Sequence, residues 1–156
     1  MRFKDFRVGQ IIDSGPTRVA EAEIIAFAQA HDPQWFHTDP ERAATSRWRG
    51  LIASGWHTCA IAMRLACDGP LKGSESIGSP GLAYLKWPAP VRPGDELTLR
   101  AEILETRLSK SAHYGVLRWR WSLLNQAKVT VLDMESTSLF ELVPATAKQT
   151  ADGTPK

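Results

Sequence analysis

The second half of the chain alternates. In "DELTLRAEI", Leu97, Leu99, Ala101 and Ile103 fall on one side, and Glu96, Thr98, Arg100 and Glu102 on the other. "VLRWRWSLL" repeats the pattern with Leu117, Trp119, Trp121 and Leu123. A period of two belongs to a half-buried strand, and a helix cannot present such a set to one core. "KVTVLDMESTSLFEL" reads as a third long strand. Its apolar phase slips between Val131 and Leu132, which predicts a bulge. "GLAYLKW" ahead of them is a shorter strand, and "PVRPGD" is a turn built on Pro93-Gly94.

The first half, after a strand at residues 10–19, follows a helical period. "EAEIIAFAQAH" puts Ile24, Phe27, Ala28 and His31 on one face, with Glu21 and Glu23 in the first turn, where the helix dipole favours them. Pro33 ends it, because Asp32 before a proline is pushed toward an extended conformation. "DPERAATSR" predicts a short helix with Asp39 as N-cap and Pro40 at the first helical position. "SGWHTCAIAMRLAC" predicts a longer one, with Trp56, Cys59, Ala60, Met63, Ala66 and Cys67 as its buried stripe. "DGPLKGSESIGSPG", residues 68–81, reads as a loop, a connector or else a mobile wall of a pocket. Helices gathered first and antiparallel strands afterwards make an α+β chain, with helices on one face of a curved sheet.

Bulk properties narrow the function. A chain of 156 residues is one domain with a real core. The 43% hydrophobic and 23% charged content is that of a globular protein, and a net charge of +2 gives no electrostatic case for nucleic acid or a membrane surface. No apolar run reaches the roughly 20 residues of a membrane span, and "MRFKDFRVGQ" lacks the apolar run of a signal peptide, so a cytoplasmic location is expected. Residues 1–143 are read as the domain. The tail, residues 144–156, is poor in apolar residues and is expected to be disordered. Cys59 and Cys67, eight positions apart on one helix, would lie roughly 12 Å apart and cannot pair. They are read as small buried hydrophobes.

The densest chemistry lies in "AHDPQWFHTDPERAA", residues 30–44. Asp32 and His37 are five apart, about 140° around a regular helix, so they would diverge on one. Pro33 breaks the helix, and the turn after it can fold His37 back toward the Asp32 carboxylate. An Asp and a His converging on one water make a general acid/base pair. The same residues also serve as caps and turn formers, and spacing by itself leaves both readings open. His31, Asp32 and His37 were weighed as metal ligands, but a catalytic zinc wants three ligands in a recognisable constellation, and His57 and His113 have no supporting spacing.

"AHDPQWFHTDPERAA" followed by "GLIASGWHT" resembles the hydratase motif of the MaoC-like family, which includes the (R)-specific enoyl-CoA hydratases. That motif runs Asp, any residue, Asn, Pro, aliphatic, His, then a helical stretch and an apolar-apolar-X-Gly entry to a long helix. "FKDFRVGQ" and "PVRPGD" extend the resemblance over residues 3 to about 142. It implies a single hotdog domain, a long central helix wrapped by a curved antiparallel sheet. It also implies reversible hydration of a 2-enoyl thioester, with Asp32 and His37 as the catalytic pair and the Gly55 N–H polarising the thioester carbonyl. Three positions depart: Gln34-Trp35 stand where the family has Asn-Pro, and Phe36 where it has a small aliphatic. By the resemblance, Gln34 is expected to do the orienting work of the Asn one methylene further out. The resemblance implies a thioester of coenzyme A or of an acyl carrier protein, no metal, no cofactor beyond the coenzyme A of the substrate, and a homodimer or dimer of dimers.

Other candidates are weaker. "RWRW" resembles a nucleic-acid surface, but in a strand its tryptophans share one face and its arginines the other. Arg47, Arg49 and Lys110 are candidates for the phosphates of coenzyme A. Two further functions compete: a hotdog thioesterase, disfavoured because no Asp or Glu lies between Ile52 and Cys67, and a non-catalytic acyl-thioester-binding hotdog protein, disfavoured by the intact Asp32/His37 pair.

Overall fold

The computed structural model describes residues 1–142, so the expected disorder of residues 144–156 lies outside the described residues. Strand β1 (Ile11–Arg18) is followed by helices α1 (Glu21–His31), α2 (Trp35–Thr38), α3 (Pro40–Ala44) and α4 (Gly55–Asp68). Strands β2 (Ser76–Lys86), β3 (Glu96–Leu108), β4 (Tyr114–Leu124) and β5 (Thr130–Glu141) complete the chain. All five strands pair antiparallel in one sheet of order β1-β3-β4-β5-β2. This is the α+β arrangement read from the pattern, with α4 laid against the inner face of the sheet. Among the described residues no helix is long and apolar enough to cross a membrane.

The alternation in the strands becomes the core. Leu97, Leu99, Ala101 and Ile103 on β3, and Leu117, Trp119 and Leu123 on β4, are fully buried. Each large apolar side chain removed from water in this way contributes about 1.5–3 kcal/mol before conformational entropy is charged against it. Arg118 and Arg120 point the other way. There Arg118 pairs with Glu105 and Glu135, and Arg120 with Asp133, across neighbouring strands. The slip in β5 is a bulge as expected: Leu123 pairs Leu132 while Leu124 pairs Thr130, and Val131 and Leu132 are both buried.

Four expectations are corrected. The stripe assigned to α4 is largely its open flank. Trp56 is 61% and Met63 44% exposed, Ala60 and Cys67 are also exposed, and the face against the sheet is Thr58, Ala62, Leu65 and Ala66. Both flanks of α4 are apolar, so hydrophobicity does not choose between them. The sheet takes the flank whose small side chains allow close approach. Cys67 is therefore no buried hydrophobe, although both thiols are free. Finally, the second half of the segment read as a loop, from Ser76 to Gly81, is strand. Gly78 and Gly81 have φ of 139° and 146°, and the pairing with β5 shifts register around them. Irregular pairing of this kind has no two-residue apolar period to betray it. The mobile-wall reading of residues 68–81 also fails, because the cavity beside Asp32 and His37 takes none of its lining from them.

Candidate active site

Every element of the site comes from the stretch between β1 and β2, with one wall from the segment before β3. Helix α1 stops at His31, and Asp32 leaves it with φ −153° and ψ 68°. Pro33 follows, and Gln34 caps a single helical turn, α2, that carries His37. That turn was not foreseen as helix; it is the device that turns His37 back. The Nε2 of His37 lies 3.4 Å from Oδ2 of Asp32. The structure therefore brings the two residues together.

Their protons are assigned by their partners. Nδ1 of His37 is 2.7 Å from the carbonyl oxygen of Ile52, which only accepts, so Nδ1 carries the hydrogen. In the neutral ring Nε2 then presents a lone pair toward Asp32. The Asp32 carboxylate accepts from Gln34 Nε2 at 2.8 Å on Oδ1 and from Ser54 Oγ at 2.7 Å on Oδ2. The Ser54 hydrogen bond, foremost, then Gln34 and the nearby His37, hold the Asp32 pKa below its ordinary value of 3.8 against the opposing effect of burial. Asp32 is thus an anion at neutral pH. With the ring neutral, the imidazole lone pair and the carboxylate oxygen do not bond each other, and both are left able to accept from a common donor.

Ser54 escaped notice in the sequence. It is the N-cap of α4, accepting from the Trp56 N–H at 3.2 Å while donating to Asp32. A serine before a helix is an ordinary cap signal, so nothing in its position announces the second bond. Gly55 is the first residue of α4. Among the described residues its N–H makes no hydrogen bond, as expected for the first turn of a helix. A side chain here is excluded: a Cβ would stand 2.6 Å from the indole of Trp87. Trp87 in turn meets Trp56 edge-on, ring centroids 5.6 Å apart.

These groups open on a cavity of about 480 Å³, lined among others by Asp32, Gln34, His37, Gly55, Trp87 and Val91. Phe36 and Trp48 also line it, and Phe36 packs its ring edge-to-face on His37 at 4.4 Å.

The remaining candidates lie elsewhere. His31 is exposed and leans on Phe27, centroids 4.8 Å apart. His57 is buried on the far flank of α4, stacked on Phe27 at 4.7 Å, and lines a different cavity beside β1. Burial pushes its pKa down, and Glu23 opposes this. His113 and Lys110 belong to the turn between β3 and β4, and neither lines the cavity. Asp39 is a cap, accepting from the Arg42 N–H at 3.0 Å.

Comparison with known proteins gives a consistent set of relatives. The MaoC like domain family matches residues 5–118. The uncharacterized protein YdeM of Bacillus subtilis is 32% identical over 141 residues, spanning 90% of this chain and 99% of YdeM. The 3-hydroxyacyl-thioester dehydratase Z of Mycobacterium tuberculosis is 34% identical over 100 residues, 63% of this chain and 64% of that protein. The crystal structure of the MaoC-like dehydratase from Rhodospirillum rubrum superposes with a TM-score of 0.79 at 38% identity, covering 90% of this chain and 97% of that one. The chain belongs to the MaoC-like dehydratase domain family and has its hotdog fold.

Proposed function

We propose that the protein is a hydratase/dehydratase that adds water reversibly to a 2-enoyl thioester. The observation that carries this reading is the pair of acceptors, Asp32 Oδ2 and His37 Nε2, 3.4 Å apart beside a cavity that Gly55, at the N-terminus of α4, also lines. One water donates a hydrogen to each acceptor. The thioester carbonyl oxygen accepts from the Gly55 N–H at the positive end of α4. The water oxygen bonds the β-carbon, and the C=C π pair moves toward the α-carbon and the thioester oxygen. His37 Nε2 takes the proton that water loses, and ionised Asp32 beside it stabilises the imidazolium. His37 then returns that proton to the α-carbon, giving the 3-hydroxyacyl thioester. Water and substrate supply every atom and electron pair in this cycle. Dehydration is the reverse.

The thioesterase reading gains no support: the acidic residue nearest on α4, Asp68, is at the helix end, paired with Arg64 at 2.7 Å and lining the other cavity. We further propose a homodimer, in which a second copy covers the open flank of α4 that Trp56 and Met63 leave exposed. Because Trp56 also lines the cavity, that copy would close its outer wall.

A panel of trans-2-enoyl-CoA thioesters, followed by loss of the conjugated-enoyl absorbance, tests the reaction. Turnover by the wild type is expected, falling on the order of 10²–10⁴-fold in Asp32→Asn and His37→Ala. Release of free thiol instead would make the protein a thioesterase. Binding without turnover would make it a non-catalytic acyl-thioester-binding protein.

A further inference from the structure

Two sets stand out among the arginines of this chain. Five on the sheet and near the end of α4 are neutralised: Arg100 by Asp13, Arg107 and Arg118 by Glu105, Arg120 by Asp133, and Arg64 by Asp68. Arg42, Arg47, Arg49 and Arg92 make no ion pair among the described residues, and all four lie at the rim, beside the cavity's lining residues or their neighbours. Trp48 lines the cavity, and the guanidinium of Arg47 lies 5.0 Å over its ring. Arg92 Nη2 donates to the Trp48 carbonyl at 2.7 Å and follows Val91, another lining residue. Arg49 is exposed next to Trp48, in the left-handed region at φ 53°. Phe36 lines the cavity and contacts Trp35 at 5.3 Å, and Arg42 lies 4.4 Å over the Trp35 ring. Arg7 and Arg18 are also without ion pairs, but Arg7 is spent on the carbonyls of Lys4 and Phe6, and Arg18 lines the cavity beside β1.

A guanidinium laid flat on an indole keeps its N–H edge free and loses little rotamer freedom when it binds. Such edges match phosphate oxygens in pairs. No carboxylate among the described residues neutralises these four guanidiniums, so an anion beside them is favoured. They gather around Trp35 and Trp48, a small area that suits a compact polyanion better than the broad acidic face of a carrier protein.

We propose that Arg42, Arg47, Arg49 and Arg92 form the anchoring site for the phosphates of coenzyme A, so that the thioester enters this cavity on that carrier. This rests on the thioester reading of the cavity. Arg92 also holds the backbone at Trp48, so Arg42, Arg47 and Arg49 are the positions to vary.

Two measurements test it. Titration calorimetry with coenzyme A itself is independent of turnover. Each of Arg42→Gln, Arg47→Gln and Arg49→Gln is expected to weaken binding about tenfold, and Arg107→Gln, on the paired set, leaves it unchanged. Equal affinity in all four variants, or no binding to wild type, overturns the proposal. Kinetically, the kcat/KM ratio of an enoyl-CoA to the same acyl group on phosphate-free pantetheine is expected to fall about tenfold in each rim variant. Turnover of the acyl-carrier-protein thioester lost in the rim variants, with the coenzyme A thioester unaffected, would assign the rim to the protein carrier and overturn it. Absence of turnover with every thioester, with coenzyme A binding still sensitive to the rim, would overturn the hydratase reading and leave the rim assignment standing.

Discussion

At the scale of single residues, Ser54 serves two structures with one hydroxyl. Its oxygen caps α4, and its hydrogen holds Asp32. Ser54→Ala removes the leading cause of the lowered Asp32 pKa, so that pKa is expected to rise, followed through the Asp32 carboxyl resonance in an NMR titration. Ser54→Thr keeps the hydroxyl and is expected to restore the wild-type titration. At neutral pH the alanine variant is expected to lose on the order of tenfold in kcat/KM. An unmoved Asp32 titration, with activity merely reduced, would reduce Ser54 to a helix cap. The meeting of Asp32 and His37 was legible, because Pro33 forbids the helix that would separate them, and resemblance to the family motif singles out both residues. Ser54 was not, since a hydrogen bond spanning 22 positions leaves no trace in local spacing. Gln34, the departure from the family motif, was legible as an oddity, and the structure places its amide on Asp32.

At the scale of elements, the strands were readable and the helix faces were not. β3 and β4 alternate cleanly because one side of each meets the core and the other meets water. α4 carries apolar residues on more than one flank, and contact with the sheet selects the one with Thr58, Ala62, Leu65 and Ala66. The first turn of α4 is also tight. Gly55→Ala would drive a methyl group into Trp87, an overpacking that costs about 1–3 kcal/mol in chemical denaturation. Activity should fall more than stability, because the Gly55 N–H shifts with the turn. The sheet makes its own prediction. Asp133, bonded foremost by Arg120, and Asp13, bonded by Arg100, both have pKa values below 3.8, as does Asp32. A carboxylate whose pKa falls on folding stabilises the native state above its unfolded value and loses that contribution as pH drops through the folded value. The thermal midpoint should therefore hold down to about pH 4 and decline below it, less steeply in Asp133→Asn.

At the scale of the whole molecule, the open flank of α4 and the edge strand β2 expose apolar surface on the same copy. Trp56, Met63, Ile77 and Leu82 are each more than 40% exposed. An unpaired edge and a bare apolar flank of this kind are ordinarily covered. Light scattering is expected to give a dimer at micromolar concentration and Met63→Glu a monomer; a wild-type monomer would refute the dimer. The strand order also dictates a sequence of events in time. β3, β4 and β5 are successive hairpins, whereas β1 reaches β3 only after the chain has run through every helix and β2. Contacts close in sequence form first, because long loops are costly to close. The β3–β4–β5 meander is thus the natural folding nucleus, and Asp32, His37, Ser54 and Gly55 all lie outside it. Substitutions around the cavity can change what it admits while leaving the rate of folding nearly untouched, so the region that shapes the cavity is separate from the region that builds the scaffold.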